Sequence, residues 1–336
     1  MTGEQAADRL GELGAWLTAH FGGEPVALVP ASSDASFRRY FRFAARGGSW
    51  IVMDAPPQLE DTGPFVRVAR LMAEAGLNVP AVHAQDARRG FLLLSDLGTR
   101  TYLDVFPETD PAPLFIDAID ALVRWQLATR PGVLPPYDEA LLRRELDLFP
   151  DWYVARHLGR ELSADQREAL EGVFRLLLAS ALAQPRVYVH RDYMPRNLML
   201  SDPNPGVLDF QDAVEGPVTY DVVSLLRDAF VSWDEERVLD WTVRYWERAR
   251  RAGLPVAGDF GEFYRAFEWM GLQRHLKVLG IFARIRHRDG KPRYLEDAPR
   301  FVAYARATAG RYRELAPLIR LLDELENRAA DVGYTF

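Results

Sequence analysis

Val189-His190-Arg191-Asp192-Tyr193-Met194-Pro195-Arg196-Asn197 is the stretch that decides the fold. It places an imidazole, a guanidinium, a carboxylate and an amide within eight residues, between apolar runs. Val187 to Val189 before it and Leu198 to Leu200 after it read as short β-strands. A third run, Val207 to Phe210, follows, and Asp209 at its end stands 17 residues after Asp192. With six His, 27 Asp and four Asn in 336 residues, a chance His-x-Asp-x-x-x-x-Asn match is expected only about 0.006 times.

His-Arg-Asp-x-x-x-x-Asn is the residue order of a kinase catalytic loop. Phosphoryl transfer asks a protein for positioning and charge more than for covalent chemistry. Asp192 is expected to accept the proton of an attacking hydroxyl. Asn197 and Asp209 are expected to hold Mg²⁺, which bridges phosphates and offsets the charge of the transition state. His190 is expected as a packing and hydrogen-bonding residue of the loop. Downstream, Gly216-Pro217-Val218-Thr219-Tyr220-Asp221 is expected to open a helix, with Asp221 as its N-cap and a second task in bonding the loop backbone.

Composition narrows the classes around this core. There is no Cys, which excludes disulfides, thiolate nucleophiles and Cys-based metal sites. Lys plus Arg total 41 and Asp plus Glu 48, a net charge of −7 that does not suit a general nucleic-acid binder. Only two of the basic residues are lysines, Lys277 and Lys291. Hydrophobic residues at 48% and charged residues at 26% are ordinary for a globular chain. The first 21 residues carry an amphipathic helical pattern, Leu10, Leu13, Trp16, Leu17 and Phe21, without the basic and apolar regions of a secretory signal. No apolar run approaches the roughly 20 residues of a membrane span. A cytoplasmic protein is expected, with no membrane or nucleic-acid partner and no obligate protein partner.

Along the chain, residues 1–98 are strand-rich: Val26 to Val29, Phe37 to Phe43, Trp50 to Met53 and Phe91 to Leu94. One helix, about Gly63 to Ala75, interrupts them and is stopped by Gly76. Residues 99–336 are mainly helical, with helices expected over Leu114 to Ala128, Asp138 to Phe149 and, from the capping box Ser163-Ala164-Asp165-Gln166, to about Ala183. Ser95 to Thr99 is the expected hinge. The predicted fold class is α+β, a protein-kinase-like two-lobed fold with a small β-rich N-lobe (1–98) that binds nucleotide and a larger helical C-lobe (99–336) for catalysis and substrate.

These motifs resemble the aminoglycoside phosphotransferase and choline-kinase-like superfamily over nearly the whole chain. A closer resemblance, to the bacterial N-acetylmuramate/N-acetylglucosamine anomeric kinase family, rests on Val189 to Met199, Gly206 to Ala213, Gly280-Ile281-Phe282-Ala283-Arg284 and Arg288 to Leu295. That resemblance implies ATP and Mg²⁺ as cofactors and an amino sugar as substrate. It implies phosphorylation of the C1 hydroxyl and a place in peptidoglycan recycling. It also implies adenine seated against Leu94-Ser95-Asp96-Leu97. An aminoglycoside kinase, or a catalytically weak nucleotide-binding module, is the alternative.

The chain departs from the superfamily at the phosphate grip. Trp50-Ile51-Val52-Met53-Asp54 is the expected third strand, and Met53 stands where the phosphate-clamping lysine belongs. The helix that should supply its glutamate partner has only Glu74, near its far end. Instead of a Gly-rich loop there is Ala31-Ser32-Ser33-Asp34-Ala35-Ser36-Phe37-Arg38-Arg39-Tyr40. Ser33 and Ser36 are expected to cradle phosphate. One of Arg38, Arg39 and Arg42, Arg39 first, is expected to replace the lysine. For the sugar, Arg274 and Arg284 are expected to meet a carboxylate, and Trp241 and Tyr264 to stack on the ring. Trp241, Tyr245, Trp246, Tyr264, Phe267, Trp269 and Tyr294 also fit a plain aromatic core.

Overall fold

The computed structural model describes residues 3–32 and 37–326. The chain divides into two compact units. The first runs to Arg124 and takes in Arg196–Asp212; the second holds Trp125–Pro195 and the chain from Ala213 onward. The first therefore contains the β-rich segment expected over 1–98 and adds residues 99–124 and 196–212.

The first unit is built on an antiparallel sheet of β1 (Val29–Ser32), β2 (Arg39–Ala45), β3 (Gly48–Asp54), β4 (Val82–Asp86) and β5 (Phe91–Ser95), in the order β1-β2-β3-β5-β4. The N-terminal helix α1 (Gly3–His20) covers one face. Its Leu13 and Leu17, one turn apart, and Phe21 just after it pack on Phe41, Phe43, Val52, Phe91 and Leu93. Strand side chains alternate between faces. The register Arg39–Asp54, Tyr40–Met53, Phe41–Val52 therefore puts Arg39 and Asp54 on the α1 face, and Tyr40 and Met53 on the opposite one. Helix α2 (Gly63–Glu74) has proline in its first turn and is followed by Gly76 at φ +77°, as its sequence predicts. The short α3 (Tyr102–Val105) opens on a Thr101–Asp104 capping box, and α4 (Pro111–Leu127) runs across the division between the units.

Several strand expectations shift: the run expected over Val207 to Phe210 is strand only at Gly206–Val207, which leaves Asp209 two residues past its end, and a strand at Val214–Pro217 is unforeseen. The first strand lies at Val29–Ser32 rather than Val26 to Val29, although Val26 and Leu28 still pack against the α1 core. β4 is unforeseen: Val-His-Ala-Gln-Asp has no buried residue on either face, so an edge strand leaves no apolar alternation to read.

In the second unit, α5 (Glu139–Leu146) starts from an N-cap bond of Asp138 and gives way to a π-helical segment, Phe149–His157. The single helix expected over Asp138 to Phe149 ends early because Pro150 has no N–H to continue the α-helical ladder. α6 (Ala164–Leu182) begins on the predicted Ser163–Gln166 capping box. β6 (Arg186–Val189) pairs with β9 (Val214–Pro217); the hairpin β7 (Leu198–Met199) and β8 (Gly206–Val207) between them belongs to the first unit. The helices α7 (Tyr220–Leu226), α8 (Glu235–Arg251), α9 (Phe260–Asp289), α10 (Ala298–Arg311) and α11 (Ala316–Glu326) complete the chain.

α9 is the axis of this unit. Every residue from Phe267 to Gly280 is buried, and it packs against the π-helical segment, α6, α7 and α10. Gly280 permits the closest approach, since a Cβ there would overlap the Leu148 carbonyl. Gly280→Ala should therefore destabilise the protein by roughly 3 kcal/mol. The same change at Gly310 on α10, where a Cβ meets nothing within 4 Å, should stabilise it by about 0.5 kcal/mol. Urea denaturation of the two variants checks both signs. Among the described residues no helix is long and apolar enough to cross a membrane.

Candidate active site

Strand β6 delivers the chain into His190, whose ring is buried and accepts a hydrogen bond at Nδ1 from the Asp192 N–H (3.2 Å). The turn is sharp, with Arg191 at φ +76°, a conformation non-glycine residues rarely hold. Asp221 holds it. Its buried carboxylate accepts the His190 N–H at 2.6 Å and the Arg191 N–H at 3.0 Å. The expected N-cap role is corrected: Thr219 occupies the cap of α7, and Asp221 lies in its first turn, turned to the loop. Burial pushes the Asp221 carboxyl up to about 7, against the opposing pull of the two backbone N–H groups. Asp192 itself is half-buried, at the end of this pinned turn.

Beneath the loop lies an ion cluster that no motif announces. Glu145 on α5 accepts from Arg191 Nη2 at 2.5 Å and lies 2.9 Å from Lys277 Nζ on α9. Tyr137 donates its hydroxyl to the same carboxylate, and Gln273 donates at 3.5 Å. Lys277 also donates to the Tyr220 hydroxyl at 2.9 Å. Burial pushes the Glu145 carboxyl up, but Lys277 and Arg191 outweigh it and hold it below the usual range. Burial likewise pulls the Lys277 ammonium down, and Glu145 and Tyr220 more than offset that. Lys277 is thus a buried counter-ion beneath the Asp192 turn. Lys277→Met would leave Glu145 short of one buried counter-charge and should cost about 3 kcal/mol. A fall in thermal denaturation midpoint, with the Lys277→Arg variant falling less, checks it.

Asn197 and Asp209 lie in the first unit and flank the hairpin of β7 and β8: Asn197 directly precedes β7, and Asp209 stands two residues past β8. The Leu208 N–H donates to the Asn197 carbonyl at 2.9 Å and closes the hairpin base. Asn197 Nδ2 faces Asp209 Oδ2 at 3.5 Å, and Gln211 Nε2 holds Asp209 Oδ1 at 2.8 Å. Asp209 is exposed and takes φ +62°, while the adjacent Phe210 is buried against Phe65 of α2 (ring centroids 4.8 Å). An amide and a carboxylate side by side offer the hard oxygen ligands that Mg²⁺ takes. Mg²⁺ needs only one or two protein oxygens when phosphates and water complete its shell. The donor set therefore fits that ion, although no group of three or more His, Cys, Asp or Glu gathers among the described residues.

The nucleotide residues are placed unevenly. Ser33 and Ser36 lie outside the described residues. Arg39 is bound to Asp54 through Nε at 2.9 Å, and Arg9 of α1 reaches the other oxygen of that buried carboxylate at 3.0 Å. At the expected hinge, Asp96 is gripped by Arg42 (2.6 and 3.0 Å), Ser49 and the Gly98 N–H. Burial raises its carboxyl, but Arg42 and Ser49 bring it below the ordinary value. Ser95 exchanges two bonds with Ala81, and Leu97 is half-buried beside Gly206.

The four sugar residues do not converge. Trp241 is buried against Trp233, and Arg274 is only 2% exposed, near enough to Asp221 to lower its carboxyl. Tyr264 and Arg284 are half-buried. Arg274 and Arg284 are ten residues apart on α9, a rise of about 15 Å.

A model of the phosphotransferase enzyme family, APH, matches residues 27–256. The chain belongs to this family. It is a small-molecule kinase, and similarity to a named relative sharpens the branch. It is 60% identical over 305 residues to the N-acetylmuramate/N-acetylglucosamine kinase of Pseudomonas aeruginosa, across 91% of this chain and 90% of the relative. Among solved structures it is similar to a choline/ethanolamine kinase family protein from Mesorhizobium loti (TM-score 0.63, 17% identity, covering 94% of this chain and 99% of that one). It is also similar to the ADP-bound aminoglycoside phosphotransferase APH(2'')-Ib (TM-score 0.59, 14% identity, 88% and 98%). At these identities the structures establish the kinase-like fold, as its motifs predicted.

Proposed function

We propose that this kinase transfers the γ-phosphoryl group of ATP, with Mg²⁺, to the C1 hydroxyl of N-acetylmuramate and N-acetylglucosamine. The observation that carries the reading is the Asp192 turn, clamped from beneath by Asp221, in a chain 60% identical to a kinase named for those two sugars. Asp192 takes the proton of the attacking hydroxyl, whose oxygen bonds to the phosphorus as ADP leaves. Asn197 and Asp209 would hold Mg²⁺, which would supply positive charge at the phosphate oxygens. Adenine rests on backbone groups of Ser95, Asp96 and Leu97, with Ser33 and Ser36 at the phosphates; a structure of this fold with ADP bound supports the nucleotide. Of the expected sugar residues, half-buried Tyr264 and Arg284 have surface to offer a substrate, whereas Trp241 and Arg274 are buried. The sugar 1-phosphates would feed peptidoglycan recycling in the cytoplasm.

ADP release with a panel of acceptors tests this. Release that depends on N-acetylmuramate or N-acetylglucosamine is expected. Release only with a cationic aminoglycoside, or without any acceptor, overturns it.

A further inference from the structure

A kinase of this kind must grip an anionic nucleotide, yet no lysine precedes Lys277, and Lys277 is engaged with Glu145. Three arginines lie on or just ahead of β2, and the sheet's geometry separates them. Arg39 shares the α1 face with Asp54, opposite to the face of Met53. Moving Arg39 to a phosphate would strip a fully buried carboxylate of one of its two cations, a costly change. Alternation puts Arg42 on the Met53 face, but Asp96 holds it in a fork at the end of β3 remote from Asp54.

Arg38 stands one residue ahead of β2, beside Arg39 at the Asp54 end of the strand pair, and continuing the alternation by one residue would put it on the Met53 face. Its Nε lies 4.0 Å from Glu60 Oε2, with the two side chains 14% and 21% exposed. Glu60 stands in the segment between β3 and α2, where its N–H bonds the Pro56 carbonyl.

We propose that Arg38, steadied by Glu60, is the phosphate-gripping cation of this kinase, in place of a lysine at Met53. Arg39, Asp54 and Arg9 instead lock α1 to the sheet. A guanidinium suits the task, because its planar fork matches two oxygens of a phosphate and stays charged at any working pH. Glu60 then orients the fork, as a carboxylate partner does for lysine in other kinases. This inference rests on the nucleotide reading above.

Calorimetric titration of Mg²⁺-ADP and of adenosine into the wild type and the variants Arg38→Met, Arg38→Lys, Arg39→Met and Arg70→Met tests it. Arg38→Met should weaken ADP by about tenfold or more and leave adenosine unchanged. Arg38→Lys should recover part of the loss, and Arg70→Met, a charge-matched change on exposed α2, should lose nothing. ADP affinity within twofold of wild type in Arg38→Met overturns the assignment. So does an equal loss for adenosine, or a loss that follows Arg39→Met in its place. A wild type that binds no ADP overturns the nucleotide reading itself, and this inference with it.

Discussion

Asp192→Asn should lower kcat by about 10³-fold while leaving the dissociation constant for ADP within twofold of wild type. The two side chains have the same shape, so the exchange removes the proton acceptor and little else. The turn is held chiefly by groups other than the Asp192 carboxylate. Asp221 fixes the turn through the His190 and Arg191 N–H groups, and Glu145 fixes the Arg191 side chain. The one loop bond involving Asp192 that orients His190 uses the Asp192 backbone N–H, which asparagine keeps. Steady-state kinetics with a paired denaturation curve separates chemistry from folding. Turnover near wild type would remove Asp192 from its role.

The second large effect is at Asp209. Asp209→Asn should lower kcat by about 100-fold and raise the Mg²⁺ concentration needed for half-maximal rate. Asparagine isolates the charge at this position. Asp209 sits at φ +62°, and asparagine is among the few residues that adopt that region at little cost. Phe210 should therefore keep its place against Phe65, and the hairpin bond from Leu208 to Asn197 should survive. A magnesium titration of the rate reads the shift. An unchanged magnesium dependence would mean that the ion is held elsewhere.

What was legible in the sequence follows the reach of the interactions. Asp192, Asn197 and Asp209 belong to one short stretch of chain, so their spacing alone is enough to name them as candidates. The capping box at Ser163 and the glycine stop after α2 are equally local. The supports of the site are not. Glu145 meets Arg191 across 46 positions, and Gln273 reaches Glu145 across 128. Arg9 meets Asp54 across 45. No periodicity or spacing encodes such pairs; only their burial together shows them.

The same limit explains the arginines of β2. Alternation predicts that Arg39 and Arg38 face opposite sides, but not which side α1 covers. That depends on the packing of Leu13, Leu17 and Phe21 against Phe41 and Val52. The expected sugar residues suffer similarly. An aromatic or basic residue on a helix reads alike in sequence whether it lines a cleft or, like Trp241 and Arg274, is buried in the helical unit. The lysine count keeps its meaning in a changed form. No lysine precedes Lys277, and Lys277 serves as a counter-ion to Glu145 beneath the Asp192 turn.

The position of phosphoryl transfer is read from the proton-coupled ³¹P spectrum of the product made from ATP and N-acetylglucosamine. A phosphate coupled to the anomeric proton alone is the predicted result. A 6-phosphate, with coupling to the two C6 protons, or ADP formed without any sugar phosphate, would contradict it.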